Sequence, residues 1–137
     1  MGRIIAIDYG QKRVGLATTD ELQIIATPLG TVRTMDLFPY LHDYLRNNPV
    51  ERFVVGEPRQ MNNRISGAAV FIEPFVKKLI REFPQIPVDR MDERFTSAIA
   101  ARVIRESGLK KKDRQDKARI DSISATLILQ SYMDQKR

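Results

Sequence analysis

Three acids far apart in the chain, Asp8, Glu93 and Asp121, are the residues whose placement could do chemistry, and two of them, Asp8 and Asp121, fall where a carboxylate is costly. Asp8 ends the run Ile4-Ile5-Ala6-Ile7, apolar on both strand faces, as expected of a central strand covered on two sides. By the two-residue alternation of a strand it shares a face with Ile4 and Ala6, and Tyr9-Gly10 follow as a turn. Glu93 stands just beyond a short strand ending at Met91, and Asp121 falls on the apolar arc of the final helix, one turn before Ala125 and two before Ile128. A carboxylate at the lip of a buried strand loses hydration and, unpaired, is driven toward its neutral form, so a cation is expected nearby. Plainer readings exist for two of them. Asp8 could simply open a turn by accepting a backbone N–H two residues on, and Asp121 could be a first-turn acid paired with Lys117.

If the first and fifth strands are parallel neighbours, or nearly so, Asp8 and Glu93 emerge at one edge of the sheet, where open α/β sheets place their ligands. Asp121 then closes a triangle from the helix packed alongside. Three converging carboxylates cannot all stay ionised without cations. Their hard oxygens suit Mg²⁺ or Mn²⁺, and two such ions about 4 Å apart can stabilise the attacking and leaving oxygens of an in-line phosphodiester displacement. Asp8, Glu93 and Asp121 are therefore the candidate catalytic residues and the candidate ligands of two divalent ions.

The cations point to a polyanion partner. Net charge is +6 and the sequence pI about 9.8. The stretch from Ala101 to Ile120 holds eight Lys or Arg against three acids, and so carries +5 of that charge. Nucleic acid is the commonest partner of such a stretch, a solvated basic loop the alternative. Lys110, Lys111, Lys112, Arg114 and Lys117 within it are candidate nucleic-acid contacts, as are Lys12 in the first turn and Arg59 and Arg64 in the polar loop 59–67.

These residues need a scaffold to bring them together. The 137 residues, 42% hydrophobic and 29% charged, suit one globular domain spanning 1–137. No window is apolar enough for a membrane helix, and no secretory signal opens the chain, so a cytoplasmic location without membrane contact is expected. There is no cysteine and one histidine, His42, so any metal is held by oxygen; His42, lacking neighbours at ligand spacing, reads as a surface or packing residue. Val14 to Thr19 forms a hairpin with the first strand, and Ile24 to Val32 reads as a third antiparallel strand confined to an edge by Pro28. Helices are expected over Asp36 to Asn47, Ala68 to Phe83, after Thr96 or Ser97, and over Lys117 to Tyr132. Strands Glu51 to Gly56 and Ile86 to Met91 join by parallel crossovers. The class is α/β, a mixed five-stranded sheet with three antiparallel strands, parallel additions and flanking helices.

Four motifs in order carry a resemblance. Ile-Ala-Ile-Asp8-Tyr-Gly with Arg13-Val14-Gly15-Leu16-Ala17, Val55-Gly56-Glu57-Pro58, Asp92-Glu93-Arg94-Phe95-Thr96-Ser97, and Lys117 to Asp121-Ser122 before Ala125 and Leu129-Gln130 resemble the YqgF (RuvX) family over nearly the whole chain. That resemblance implies a ribonuclease H-like fold. It implies a metal-dependent endonuclease maturing the 5′ end of pre-16S ribosomal RNA, or a resolvase of Holliday junctions. It also implies Asp8, Glu93 and Asp121 as the metal-binding acids, with Arg13, Arg94 and Lys117 as phosphate or carboxylate partners. Two departures stand out: Glu57 replaces an apolar residue, and Asn62-Asn63 replace an Asp-Gly pair. Glu57 is either a fourth acid near the site or a solvent-facing variant. The expected partners are structured RNA, branched DNA or a pre-ribosomal particle, for a monomer or weak homodimer. A non-catalytic nucleic-acid-binding factor is the rival; an actin-like ATPase needs two domains, more than this length provides.

Overall fold

The computed structural model describes residues 2–57, 69–92 and 117–136. In chain order these hold strands β1 (Arg3–Tyr9), β2 (Arg13–Thr19) and β3 (Ala26–Arg33), a 3-10 turn (Thr34–Asp36), helix α1 (Leu37–Asn47), strand β4 (Val50–Glu57), helix α2 (Ala69–Glu82), strand β5 (Val88–Asp92) and helix α3 (Lys117–Lys136). The strands form one sheet in the order β3-β2-β1-β4-β5. The meander of β1, β2 and β3 is antiparallel, while β4 and β5 add parallel to β1, as the alternation of strands and helices in the sequence predicts. β4 separates β1 from β5, so these two are parallel but one strand apart.

Each strand divides its side chains between two layers. Ile5 and Ile7 of β1 join Val14, Leu16, Phe53 and Val55 under α1 and α2, with Leu37, Leu41, Ile72 and Leu79 from those helices. Ile4 and Ala6 join Ala17, Val54 and Met91 under α3, which contributes Ala125, Ile128, Leu129, Tyr132 and Met133. The central strand is thus apolar on both faces because helices cover both. Of the arc expected for the last helix, Ala125, Ile128, Leu129 and Tyr132 are buried, and the helix extends one turn beyond Tyr132, burying Met133 as well.

Two boundaries differ from expectation. The third strand starts at Ala26 because Asp20 Oδ1 accepts the backbone N–H groups of Ile24 (2.7 Å) and Ile25 (2.9 Å), folding 20–25 into a loop. Gln23 takes φ 60° within it, and Ile24 and Ile25 are left 55% and 61% exposed. The first helix begins at Leu37, because Thr34–Asp36 form a 3-10 turn that leaves Asp36 at the N-cap position, without a side-chain cap. Pro28 lies in an edge strand as expected, opposite Ala17 and next to a register shift. Gly10, between β1 and β2, is required by space: a Cβ there would sit 2.5 Å from the Arg13 carbonyl oxygen. His42 places Nε2 2.7 Å from Glu82 Oε1 and its ring 4.7 Å from that of Phe83, the packing role its neighbourhood suggests.

One polar network fixes the direction of α3. The Tyr132 hydroxyl donates to Asp89 of β5, whose Oδ2 also accepts from Arg52 Nη1 of β4 at 2.8 Å. Burial and the Asp89 carboxylate push the Tyr132 phenol up to about 12. Because this pKa is raised above the ordinary value of about 10, the stabilisation is complete below pH ~10 and is lost as pH climbs through ~12. Tyr132→Phe should therefore flatten the alkaline fall in stability between those values, read by urea denaturation at stepped pH. Leu129, fully buried, should cost about 2–5 kcal/mol on substitution by Ala, whereas Leu22, 65% exposed, should change stability by less than about 0.5 kcal/mol.

Candidate active site

Asp8 is the next-to-last residue of β1 and is half-buried. Ile4 and Ala6 pack toward α3, so strand alternation places position 8 on the same face. Its direct partner across the hairpin is Gly15. On the other side Ile7 pairs with Val55, which puts Gly56 one step further along β4, level with position 8. Val54 also packs toward α3, so Gly56 shares that face too. The carboxylate of Asp8 therefore stands between two residues that present no side chain. A strand this apolar tolerates a charge only where its cover ends, and β1 ends one residue later.

Position 121 is reached from the helix. Tyr132 and Met133 of α3 line one pocket with Ile4, Glu51 and Arg52, at the starts of β1 and β4, so α3 runs antiparallel to those strands. A helical rise of about 1.5 Å per residue carries position 121 roughly 16 Å from Tyr132. Over β1, the step from Ile4 to Asp8 covers roughly 13 Å. The helix position and the strand end thus arrive at the same rim of the sheet, within the α3 layer. This is where the backbone brings two of the three acids; Glu93 follows directly on Asp92, the last residue of β5, and lies outside the described residues.

Arg59, Arg64, Arg94, Lys110, Lys111, Lys112 and Arg114 likewise lie outside the described residues. Lys117 is the first residue of α3. Lys12 is exposed in the turn after β1, and Arg13 opens β2 opposite Arg33 at the end of β3. The turn is tied to that strand end: Thr34 donates its backbone N–H to the Lys12 carbonyl at 3.0 Å and its hydroxyl to the Gly10 carbonyl at 2.7 Å. Arg33 is a rim cation that no sequence spacing reveals, because only the β2–β3 register brings it beside Arg13. Glu57 is the last residue of β4, paired with Asp92 of β5.

Among the described residues no three His, Cys, Asp or Glu are grouped to hold a metal ion. The described donor at the rim is the Asp8 carboxylate, a hard oxygen ligand suited to a divalent cation, and the flanking glycines agree with a non-protein group beside it.

Residues 2–135 match the family model described as "RuvX: Holliday junction resolvase". Relatives named "Putative pre-16S rRNA nuclease" include one from Bacteroides thetaiotaomicron, 54% identical over 137 residues, covering 100% of this chain and 99% of its own. Others come from Porphyromonas gingivalis, 54% identical over 134 residues with 98% and 97% covered, and Flavobacterium psychrophilum, 50% identical over 136 residues with 99% of each covered. The structure of T. thermophilus RuvC in complex with Holliday junction substrate superposes with a TM-score of 0.57 at 18% identity, covering 99% of this chain and 96% of that one. With that fold and these relatives, the chain belongs to the RuvX family and is a nuclease, a hydrolase of phosphodiester bonds on a ribonuclease H-like sheet.

Proposed function

We propose that this nuclease is a divalent-metal-dependent endonuclease of structured RNA that trims the 5′ end of the 16S ribosomal RNA precursor, working in the cytoplasm on the pre-ribosomal particle. The observation that carries the reading is the charge at the rim. Asp8 ends a doubly buried strand between Gly15 and Gly56, with position 121 arriving at the same end from α3. The names of relatives about half identical over full length support RNA as substrate. Asp8, Glu93 and Asp121 would hold Mg²⁺ or Mn²⁺, which when bound activates a water and neutralises charge on the phosphate being cleaved. Asp8 is pinned by the β1–β2 hairpin, so its oxygens are positioned by backbone rather than by a flexible stem. Lys12, Arg13 and Lys117 at that rim would hold the phosphates on either side of the cut, with Arg59, Arg64, Arg94, Lys110, Lys111, Lys112 and Arg114 extending the track. Such contacts grip the backbone and leave base choice to other surfaces.

A second reading, cleavage of four-way DNA junctions, is favoured by the family description and the RuvC-like fold, and uses the same acids. Precursor RNA and junction DNA offered in parallel with Mg²⁺ or Mn²⁺ decide between them. Preferential cutting of RNA at the 5′ precursor site is expected; exclusive cutting of the junction would establish the second reading, and salt-sensitive binding without cutting would establish a non-catalytic factor.

Loss of an outer-shell partner commonly costs about 10–100-fold, so Asp8→Asn should lower cleavage by at least about 100-fold while leaving RNA affinity in chelator nearly unchanged. Gly15→Ala places a methyl group beside Asp8 and should raise the Mg²⁺ concentration for half-maximal cleavage by about tenfold, measured by titrating the metal at fixed RNA.

A further inference from the structure

On the other face of the same strand end lies a cavity of about 520 Å³, within the range of about 300–1,000 Å³ typical of small-ligand sites. Its walls come from three elements: Tyr9 closes β1, Thr34 and Phe38 lead into and start α1, and Phe75 and Lys78 belong to α2. The Tyr9 and Phe75 rings stack with centroids 4.2 Å apart at 15°, and Phe38 leans on Phe75 at 5.9 Å and 60°. Lys78 Nζ stands 4.6 Å over the centre of the Phe38 ring. The ionisable side chains among the described lining residues are the Lys78 ammonium and the Tyr9 phenol; none is a carboxylate. Such a site suits a flat, π-faced group attached to an anion, which is the chemistry of a nucleobase on its phosphate backbone.

Its place on the sheet sharpens this. Tyr9 follows Asp8 directly, and neighbouring strand residues point to opposite faces, so the cavity and the acid occupy the two sides of one strand end. A polynucleotide crossing the rim at Asp8 meets the cavity as it leaves. We propose that this cavity receives one unpaired base of the bound strand, seated against the half-buried rings of Tyr9 and Phe38, which the buried Phe75 ring backs, with Lys78 facing its phosphate. The inference rests on the nuclease reading of the rim and adds to it a substrate class: strands with a base free to leave its stack beside the cut. A paired base would first have to be unstacked, a cost that a loop, junction or single strand avoids. Because every base has a π-face, the seat selects for unpaired structure rather than for sequence.

The test is fluorescence anisotropy in chelator, so that nothing is cut, with a short single-stranded oligoribonucleotide and an abasic analogue of the same backbone. The wild-type protein should bind the base-bearing strand about tenfold more tightly, since stacking of one base on aromatic side chains is commonly worth that much or more. Phe38→Leu, which keeps apolar volume and removes the ring, should erase the preference while leaving affinity for the abasic strand unchanged. Equal wild-type affinity for the two strands would overturn the seat alone and leave the nuclease reading standing. A preference that survives Phe38→Leu, with only the melting temperature lowered, would assign the rings to packing and overturn it as well. Failure to bind either strand would sink the nuclease reading together with the seat.

Discussion

A strand covered on both faces can carry a charge only where its cover stops, and β1 meets that constraint at one residue. Ile4 to Ile7 are buried to 5% exposure or less, two toward each helical layer. Any charge within that run would stand in a low-dielectric interior without water, at a cost well beyond what one hydrogen bond returns. At position 8 the apolar run ends, the hairpin partner is glycine, and a carboxylate becomes tolerable provided something positive is near it. The chemistry of the rim follows from that placement. Hydrophobic burial on either side supplies the rigidity, and the acid inherits it.

The two ends of the sheet are consequently unlike. At the end where β1, β4 and β5 begin, Arg52, Asp89 and Tyr132 satisfy one another, tying β4, β5 and α3 together. That network holds the helix at a fixed height on the sheet, so its first turn is delivered to the opposite end. On the other layer helix α2 is held by its buried Ile72, Phe75, Val76 and Leu79, and the 2.7 Å pair of Glu73 with Arg90 draws the Glu73 carboxyl below its ordinary range. The pair links α2 to β5 at the surface, where Glu73 is exposed, so it contributes little beside the apolar packing of that layer.

Much of this was legible before any coordinates. The doubly apolar run of β1, the small residues of β2 and the arc of α3 are patterns with one physical reading each, because their periods match the element and their burial is two-sided or one-sided throughout. The position of Asp8 came with them. What escaped was anything decided by a contact between distant segments. Ile24-Ile25 look like strand, yet Asp20 holds their N–H groups in a loop, a local hydrogen bond that outweighs β propensity. The aromatic cavity is assembled from β1, α1 and α2, and no spacing within a single element announces it.

The outer strand of the meander has a consequence for molecular company. β3 is an edge of the sheet, and an unbroken edge is a template on which another chain can extend the ladder. Pro28 offers no N–H there, Gly30 turns the backbone to φ +128°, and the register slips between Leu16 and Ala17. A would-be neighbour finds donors and acceptors out of step after only a few residues. The meander is thereby a poor template for fibril-like stacking through this side, at an edge the fold leaves uncovered.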